Sequence, residues 1–350
     1  MNSSWPFRLS VAATVACSLV SCGSKGPVRA ATTAPPTTTP ATTVVAATVP
    51  VTTVPATTTV PATTTVPAST TVAPVAGAVV NVWKPSTIDP TKLPIGDSRV
   101  SISGPSVGGL WACRAGNPNA GGASAAGPWL DVANGTWDST TKLAVQGSVS
   151  WPQSSYRETV ADGKRTIETN DLPSETKTGT FPIAKADPSY NYDRNPGSIA
   201  AQTVKLSLPA APVVAAKATC MSEGPVGVLR NGVSIFNSLD GRGDDAVAHE
   251  SQDLCDGHPA KTTYHYHNVP SCLRNAAVGS STVVGWVKDG FPVVVERDSS
   301  GALPSNADLD ECHGRTSPVL IDGKVVTTYH YSATLEFPYF IGCFRGDTKS

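Results

Sequence analysis

All six histidines of this 350-residue chain fall between His249 and His330, and three of them lie in two near-copies of one string, Tyr264-His265-Tyr266-His267 and Tyr329-His330-Tyr331-Ser332. In a β-strand alternate side chains share a face, so His265 and His267 are expected to project together while Tyr264 and Tyr266 point the other way. Two imidazoles fixed on one surface can chelate a metal or work as a proton-transfer pair. With His258, and with His313 or His330 completing three or four nitrogens, the set suits copper or zinc. The competing reading is a buried ladder of Tyr and His side chains bonded to one another, which equally requires polar partners. His249, Glu250 and Asp253 could extend the site or orient a liganding ring. A His-Glu-x-x-Asp stretch is also what a solvated helix face looks like.

The segments around the two strings repeat as well. Asp253-Leu254-Cys255-Asp256-Gly257-His258 precedes the first string, and Pro270 and Cys272 follow it; Asp310-Glu311-Cys312-His313-Gly314 precedes the second, and Pro338 and Cys343 follow it. Two related units facing one another could converge their imidazoles on a shared site, with Ser332 standing where the first unit has His267. Beyond Cys17 and Cys22, the cysteines are Cys113, Cys220, Cys255, Cys272, Cys312 and Cys343. Six cysteines allow about fifteen pairings. The favoured set joins Cys255 to Cys272 and Cys312 to Cys343, each bracketing one string, and leaves Cys113 for Cys220. Some could instead be thiolate ligands, but no pair has the close spacing of a zinc-thiolate site.

The elements that must position these residues read as mainly β: an antiparallel, hairpin-rich sheet domain with long loops, stabilised by disulfides. Asp162-Gly163, Asn231-Gly232, Asp289-Gly290 and Asp322-Gly323 each end a short apolar run, and such dipeptides supply the positive φ angles of tight hairpins. Only Asp244 to Leu254 reads as a helix, and a short one. Asp240, Asp244 and Asp245 could hold a cation through oxygen, though a polar turn explains them as well.

The N-terminus speaks to compartment. Arg8 precedes the apolar run Leu9 to Leu19, too short for a membrane span and suited to a secretory signal over residues 1–21. Leu19-Val20-Ser21-Cys22 resembles the lipobox of bacterial lipoproteins, so Cys22 is expected to carry lipid and tie the protein to the membrane outside the cytoplasm; plain cleavage would leave it secreted. Residues 22–78 are rich in Thr, Pro, Ala and Val, with no charge between Arg29 and Lys84, which predicts a disordered, extended tether. At about 3.1 Å per residue, its roughly 47 densest residues reach on the order of 140 Å.

Residues 79–350 then form the working domain. Three of the 26 Lys and Arg precede it, while all 27 Asp and Glu lie within it, so it is net acidic and nucleic acid is excluded as a partner. Gly104-Pro105-Ser106-Val107-Gly108 spells a serine-hydrolase elbow, but Gly109 and Pro118 argue against the helix that motif needs, and no phosphate loop occurs. Trp286, Phe291, Phe337, Tyr339 and Phe340 are expected in the core; an exposed subset could stack on sugars of a cell-wall polymer.

Several motifs in one order, Thr178 to Ile183, Tyr192 to Pro196, Gly232 to Asn237, Ala248-His249-Glu250, Gly257-His258-Pro259, Tyr264 to His267, Gly285 to Pro292, Asp308 to His313 and Glu336 to Gly346, resemble the bacterial YHYH-domain proteins over roughly Ser98 to Gly346. The resemblance implies an exported protein and no established reaction. It also implies a second copy with a further histidine and a full Tyr-His-Tyr-His, where this chain has Arg315 and Ser332. Three functions remain open on these grounds: binding or sequestering copper or zinc, a metal-dependent enzyme of the cell envelope, and a wall-associated structural or adhesion module with no metal.

Overall fold

The computed structural model describes residues 80–86 and 88–348. The expected signal, Cys22 and the Thr/Pro tether lie outside them. The chain is mainly β, with antiparallel hairpins, long loops and disulfides Cys113–Cys220, Cys255–Cys272 and Cys312–Cys343. Among the described residues no helix is long and apolar enough to cross a membrane.

Each of the four Asx-Gly dipeptides that follow a short apolar run closes a hairpin. Asp162-Gly163 joins β1 (Tyr156–Ala161) to β2 (Lys164–Thr169), which β3 (Val204–Pro209) extends to three strands. Asn231-Gly232 joins β4 (Pro225–Leu229) to β5 (Ser234–Phe236). The hairpin of β6 (Gly257–Ala260) and β7 (Thr263–Tyr266) follows. Asp289-Gly290 then joins β8 (Ser281–Val287) to β9 (Pro292–Glu296), and Asp322-Gly323 joins β10 (Gly314–Ile321) to β11 (Lys324–Ser332). At Asp322 and Gly323 φ is +50° and +76°, the mirror-image turn that suits the right-handed twist of paired strands.

Strands β4 to β11 make one sheet in the order β6-β7-β5-β4-β8-β9-β11-β10. This order reads the same from either edge if β4 is exchanged for β8, β5 for β9, β6 for β10 and β7 for β11. The duplication seen in the sequence is therefore a two-fold repeat, with its axis between the antiparallel pair β4 and β8. In each half the Tyr-His-Tyr strand runs parallel to the second strand of the preceding hairpin, Ile235 beside Tyr266 and Val293 beside Tyr331. The two parallel pairs depart from an all-antiparallel reading, because each string reaches its place by a loop crossover rather than a tight turn.

One face of the sheet buries Tyr264, Tyr266, Tyr331, Phe291, Phe337 and Phe340 in the main core. Behind the other face, β1–β3 bring Ile167 and Leu208 against Val228, Trp286, Val294 and Val319. Arg165 is buried there because its guanidinium stacks 3.6 Å from the Trp286 ring centre and pairs with Glu158 and Asp322. Trp286, Phe291, Phe337, Tyr339 and Phe340 are all buried, so none offers a face to sugars.

Helix is scarcer at one expected place and present at an unexpected one. The stretch Asp244 to Leu254 is helical only over α1 (Ala246–His249), where the Asp245 side chain caps the amides of Val247 and Ala248. It stops because Glu250 turns to extended backbone and the Ser251 amide is bonded to Asp193 Oδ2 at 2.9 Å. A second short helix, α2 (Ser271–Ala276), follows the first string and carries Cys272.

Candidate metal centre

Register brings the first imidazoles together. His258 on β6 stands directly across from His265 on β7, and His267 follows two residues later on the same side. Tyr264 and Tyr266 take the opposite face, ring centres 5.4 Å apart. The turn that delivers His258 is braced by Asp253, whose Oδ1 accepts from the amides of Cys255 and Gly257 and whose Oδ2 accepts from Tyr264 at 2.8 Å and from the Gly179 amide at 2.9 Å. Gly257 has to be glycine, since a Cβ there would lie 2.2 Å from Tyr264 Oη.

One ring nitrogen from each of His258, His265 and His267 can be chosen so that all lie within 4.8 Å of one another, and the three residues are 2–3% exposed. The hydrogen bonds fix which nitrogens are bare. His267 Nδ1 lies 2.5 Å from the Asn237 carbonyl, and His265 Nδ1 lies 3.2 Å from the Thr263 carbonyl. A carbonyl only accepts, so both Nδ1 atoms carry the hydrogen and both Nε2 atoms present lone pairs. Those two Nε2 atoms are 3.0 Å apart. At that spacing either His265 gives up its 3.2 Å carbonyl bond and donates Nε2–H to His267, or both Nε2 atoms are bare and a cation relieves their repulsion; nitrogens about 2.1 Å from one tetrahedral ion would be roughly 3.4 Å apart. His258 Nε2 is buried with no hydrogen-bond partner at all. Burial holds His258 and His265 well below the ordinary imidazole range and His267 at about 4, so all three are neutral bases at neutral pH. This donor set could hold a metal ion.

Glu250 approaches from the end of α1, its Oε2 3.5 Å from His258 Nε2 and 3.7 Å from His267 Nε2. Burial, and then the charges of Asp240 and Asp193, push its carboxyl well above the usual range. The imidazoles and Glu250 face a cavity of about 840 Å³, whose wall includes Asp193, Asp240 and Phe236. The Phe236 ring lies 4.0 Å from that of His265.

The other expected ligands lie elsewhere. β7 and β11 are separated in the sheet by β5, β4, β8 and β9, five strand spacings of about 4.8 Å, so the two strings cannot share one ion. His313 and His330 are therefore not ligands of the first site. In the second half, Arg315 stands across from His330, where the first half has His258 across from His265. Arg315, His330 and Ser332 surround the carboxylate of Glu296, which is 0% exposed: Arg315 Nη2 donates at 2.7 Å, Ser332 Oγ donates at 2.7 Å and His330 Nε2 lies at 3.1 Å. An internal anion fills the second pocket. His249 also leaves the site, its Nε2 3.0 Å from Asp97 Oδ2, and Asp253 is committed to its turn. Of the three residues expected around the ligands, Glu250 alone reaches them.

His313 is buried at φ +68°, the counterpart of Asp256 at φ +59°, and its Nε2 lies 3.0 Å from Thr334 Oγ1. Burial lowers it to about 3. Below about pH 6.5 the unfolded chain takes up a proton that the folded one refuses, so stability falls with pH from there down to about 3. Relative to wild type, His313→Asn, which tolerates the same backbone, should gain about 1.4 kcal/mol per pH unit across that window. Parallel urea-unfolding curves at successive pH values check this; identical slopes for the two proteins would show that His313 titrates normally.

Sequence reasoning missed the cavity wall. Asp193 is far from the histidines in sequence and was visible only as part of Tyr192 to Pro196; Asp240 was named only with Asp244 and Asp245 as an oxygen site or polar turn, not as a neighbour of the imidazoles. No curated protein and no solved structure matches this chain. Residues 205–302, a narrower span than the motifs suggest, match the family model described as YHYH protein, and they contain His258, His265, His267 and Glu250. Over that segment, which carries the first of the two strings, the chain is similar to the YHYH protein family.

Proposed function

We propose that this protein is exported, tied to the membrane through lipid on Cys22, and that it holds one copper or zinc ion by His258, His265 and His267 for use on a ligand that enters the cavity. The observation that carries the reading is the pair of bare Nε2 atoms of His265 and His267 facing each other at 3.0 Å. Three imidazoles suit either metal. When bound, the ion would supply Lewis acidity at the cavity floor. The Asn237 and Thr263 carbonyls hold the rings in the liganding tautomer, and Glu250 is placed to take or return a proton beside them. A storage site closes its coordination with protein groups, whereas an open position facing a cavity belongs to a centre that acts on something.

The test is metal analysis of the purified full-length protein, followed by absorption spectroscopy at the metal edge. We expect one equivalent, three imidazole nitrogens and a further ligand that exchanges with added azide. A site closed by four protein groups would favour sequestration. Protein that takes up no copper or zinc would favour a structural module of the wall.

A further inference from the structure

Three carboxylates border the cavity in front of the imidazoles, and the basic groups nearby are directed elsewhere. Asp193 and Asp240 are 5% and 7% exposed, and Glu250 stands beside the rings. Asp240 Oδ1 accepts from the amides of Arg242 and Asp244. Its Oδ2 accepts no such bond and is turned toward Gly122 on the cavity wall, where a Cβ would lie 2.4 Å from it and 3.1 Å from the Arg242 guanidinium carbon, close enough for that charge to act on the carboxylate without a direct ion pair. Lys142 gives its ammonium to the Val247 carbonyl and to Gln252 Oε1. Arg242 gives Nε to the Ala120 carbonyl at 3.3 Å, and at the mouth Arg114 is paired with Glu223 at 2.8 Å. Arg194 and Lys261 are exposed at the rim. Phe236 contributes an aromatic wall against His265. The buried Nε2 of His258, which makes no hydrogen bond and has Glu250 Oε2 3.5 Å away, marks the same cavity as a place for a ligand.

A carboxylate oxygen that faces a cavity and accepts no hydrogen bond from the protein is free to receive an entering group that carries positive charge. An aromatic face beside carboxylates also attracts organic cations. We propose that the ligand admitted to this cavity carries a cationic head, an ammonium or a guanidinium, which Asp240 and Asp193 receive beside Phe236 while the rest of the molecule extends toward the imidazoles. The proposal deepens, and rests on, the reading of those imidazoles as a metal centre open to the cavity.

Choline tests it, because its quaternary nitrogen has no lone pair to offer a metal; 3,3-dimethylbutan-1-ol is its uncharged carbon counterpart. Calorimetric titration of the metal-loaded, full-length protein should show choline binding at least tenfold tighter than the alcohol. Asp240→Asn keeps an oxygen for the Arg242 and Asp244 amides but removes the charge. It should erase at least tenfold of that preference while metal content and the unfolding midpoint stay at wild-type values. Equal affinity for the two probes, no choline binding, or an unchanged preference in Asp240→Asn would overturn the proposal. The two readings fail separately. One equivalent of metal with no preference for choline sinks this one alone, and a preference for choline in protein that takes up no metal sinks the metal reading alone.

Discussion

Replacing His265 and His267 together with Ala is expected to abolish stoichiometric metal binding while leaving the fold in place. The two side chains supply two of three nitrogens, so affinity should fall by at least 100-fold, the order expected when ligands themselves are removed rather than the groups that orient them. The fold should survive because the strand is held by Tyr264 and Tyr266 in the main core, by its pairing with β6 and β5, and by Asp253. In metal-free buffer the variant also loses the repulsion between facing Nε2 atoms, which offsets part of the packing lost with the rings. The clearest reading is a comparison of melting with and without metal. A ligand at 100 times its Kd stabilises by about 2.7 kcal/mol, so wild type should rise on adding zinc or copper and the double variant should not. If the variant unfolds in metal-free buffer, the histidines are architectural and the metal reading loses its main support.

The second large effect is expected at the opposite end of the sheet. Glu296→Ala removes the acceptor of Arg315, Ser332 and His330 at a site with no exposure and leaves their donors facing a void. Burial alone would raise the Glu296 carboxyl, but the hydrogen bonds from His330 and Arg315 outweigh it and hold the group at about 2. Set against about 4.3 in the unfolded chain, that is worth about 3 kcal/mol at neutral pH. Because the folded value is the lower one, the contribution is complete above about pH 4.3 and disappears as pH falls toward 2. Arg315 keeps Asn81 Oδ1 at 2.6 Å and the Trp83 ring at 4.6 Å, so part of its charge remains compensated. We expect a loss of about 3 kcal/mol by urea unfolding at pH 7, shrinking below pH 4, with metal content unchanged. A loss under about 1 kcal/mol would mean that the buried charges are not coupled as their spacing indicates.

Much of this site is legible in the sequence, for identifiable reasons. Strand alternation alone puts His265 and His267 on one side and Tyr264 and Tyr266 on the other. The Asx-Gly dipeptides mark four hairpins because few residues accept their backbone angles, and Glu250 could be named because it adjoins a histidine. What local pattern cannot supply is the order of strands. Placing the two strings together was reasonable from their likeness, yet the crossovers put them at opposite edges. Ser332 and Arg315 hint that the second copy has lost nitrogen ligands, but nothing near them in sequence announces Glu296, which arrives from β9. That Asp193 and Asp240 share a cavity with the imidazoles was illegible for the same reason: Asp240 could be named as an oxygen donor, but both residues reach the cavity through loops, and loops carry no period.

The reversible strand order bears on how such a centre evolves. Two identical chains joined edge to edge would pair just as β4 and β8 do, through Gly227 with Val287, Val228 with Trp286 and Leu229 with Gly285. Joined in one polypeptide, the halves associate whatever the dilution, whereas separate copies would drift apart below their dissociation constant. Fusion also ends the obligation to be alike. The C-terminal half is then free to serve as a scaffold, its Arg315, His330 and Ser332 closed on Glu296 of the same half instead of facing a ligand.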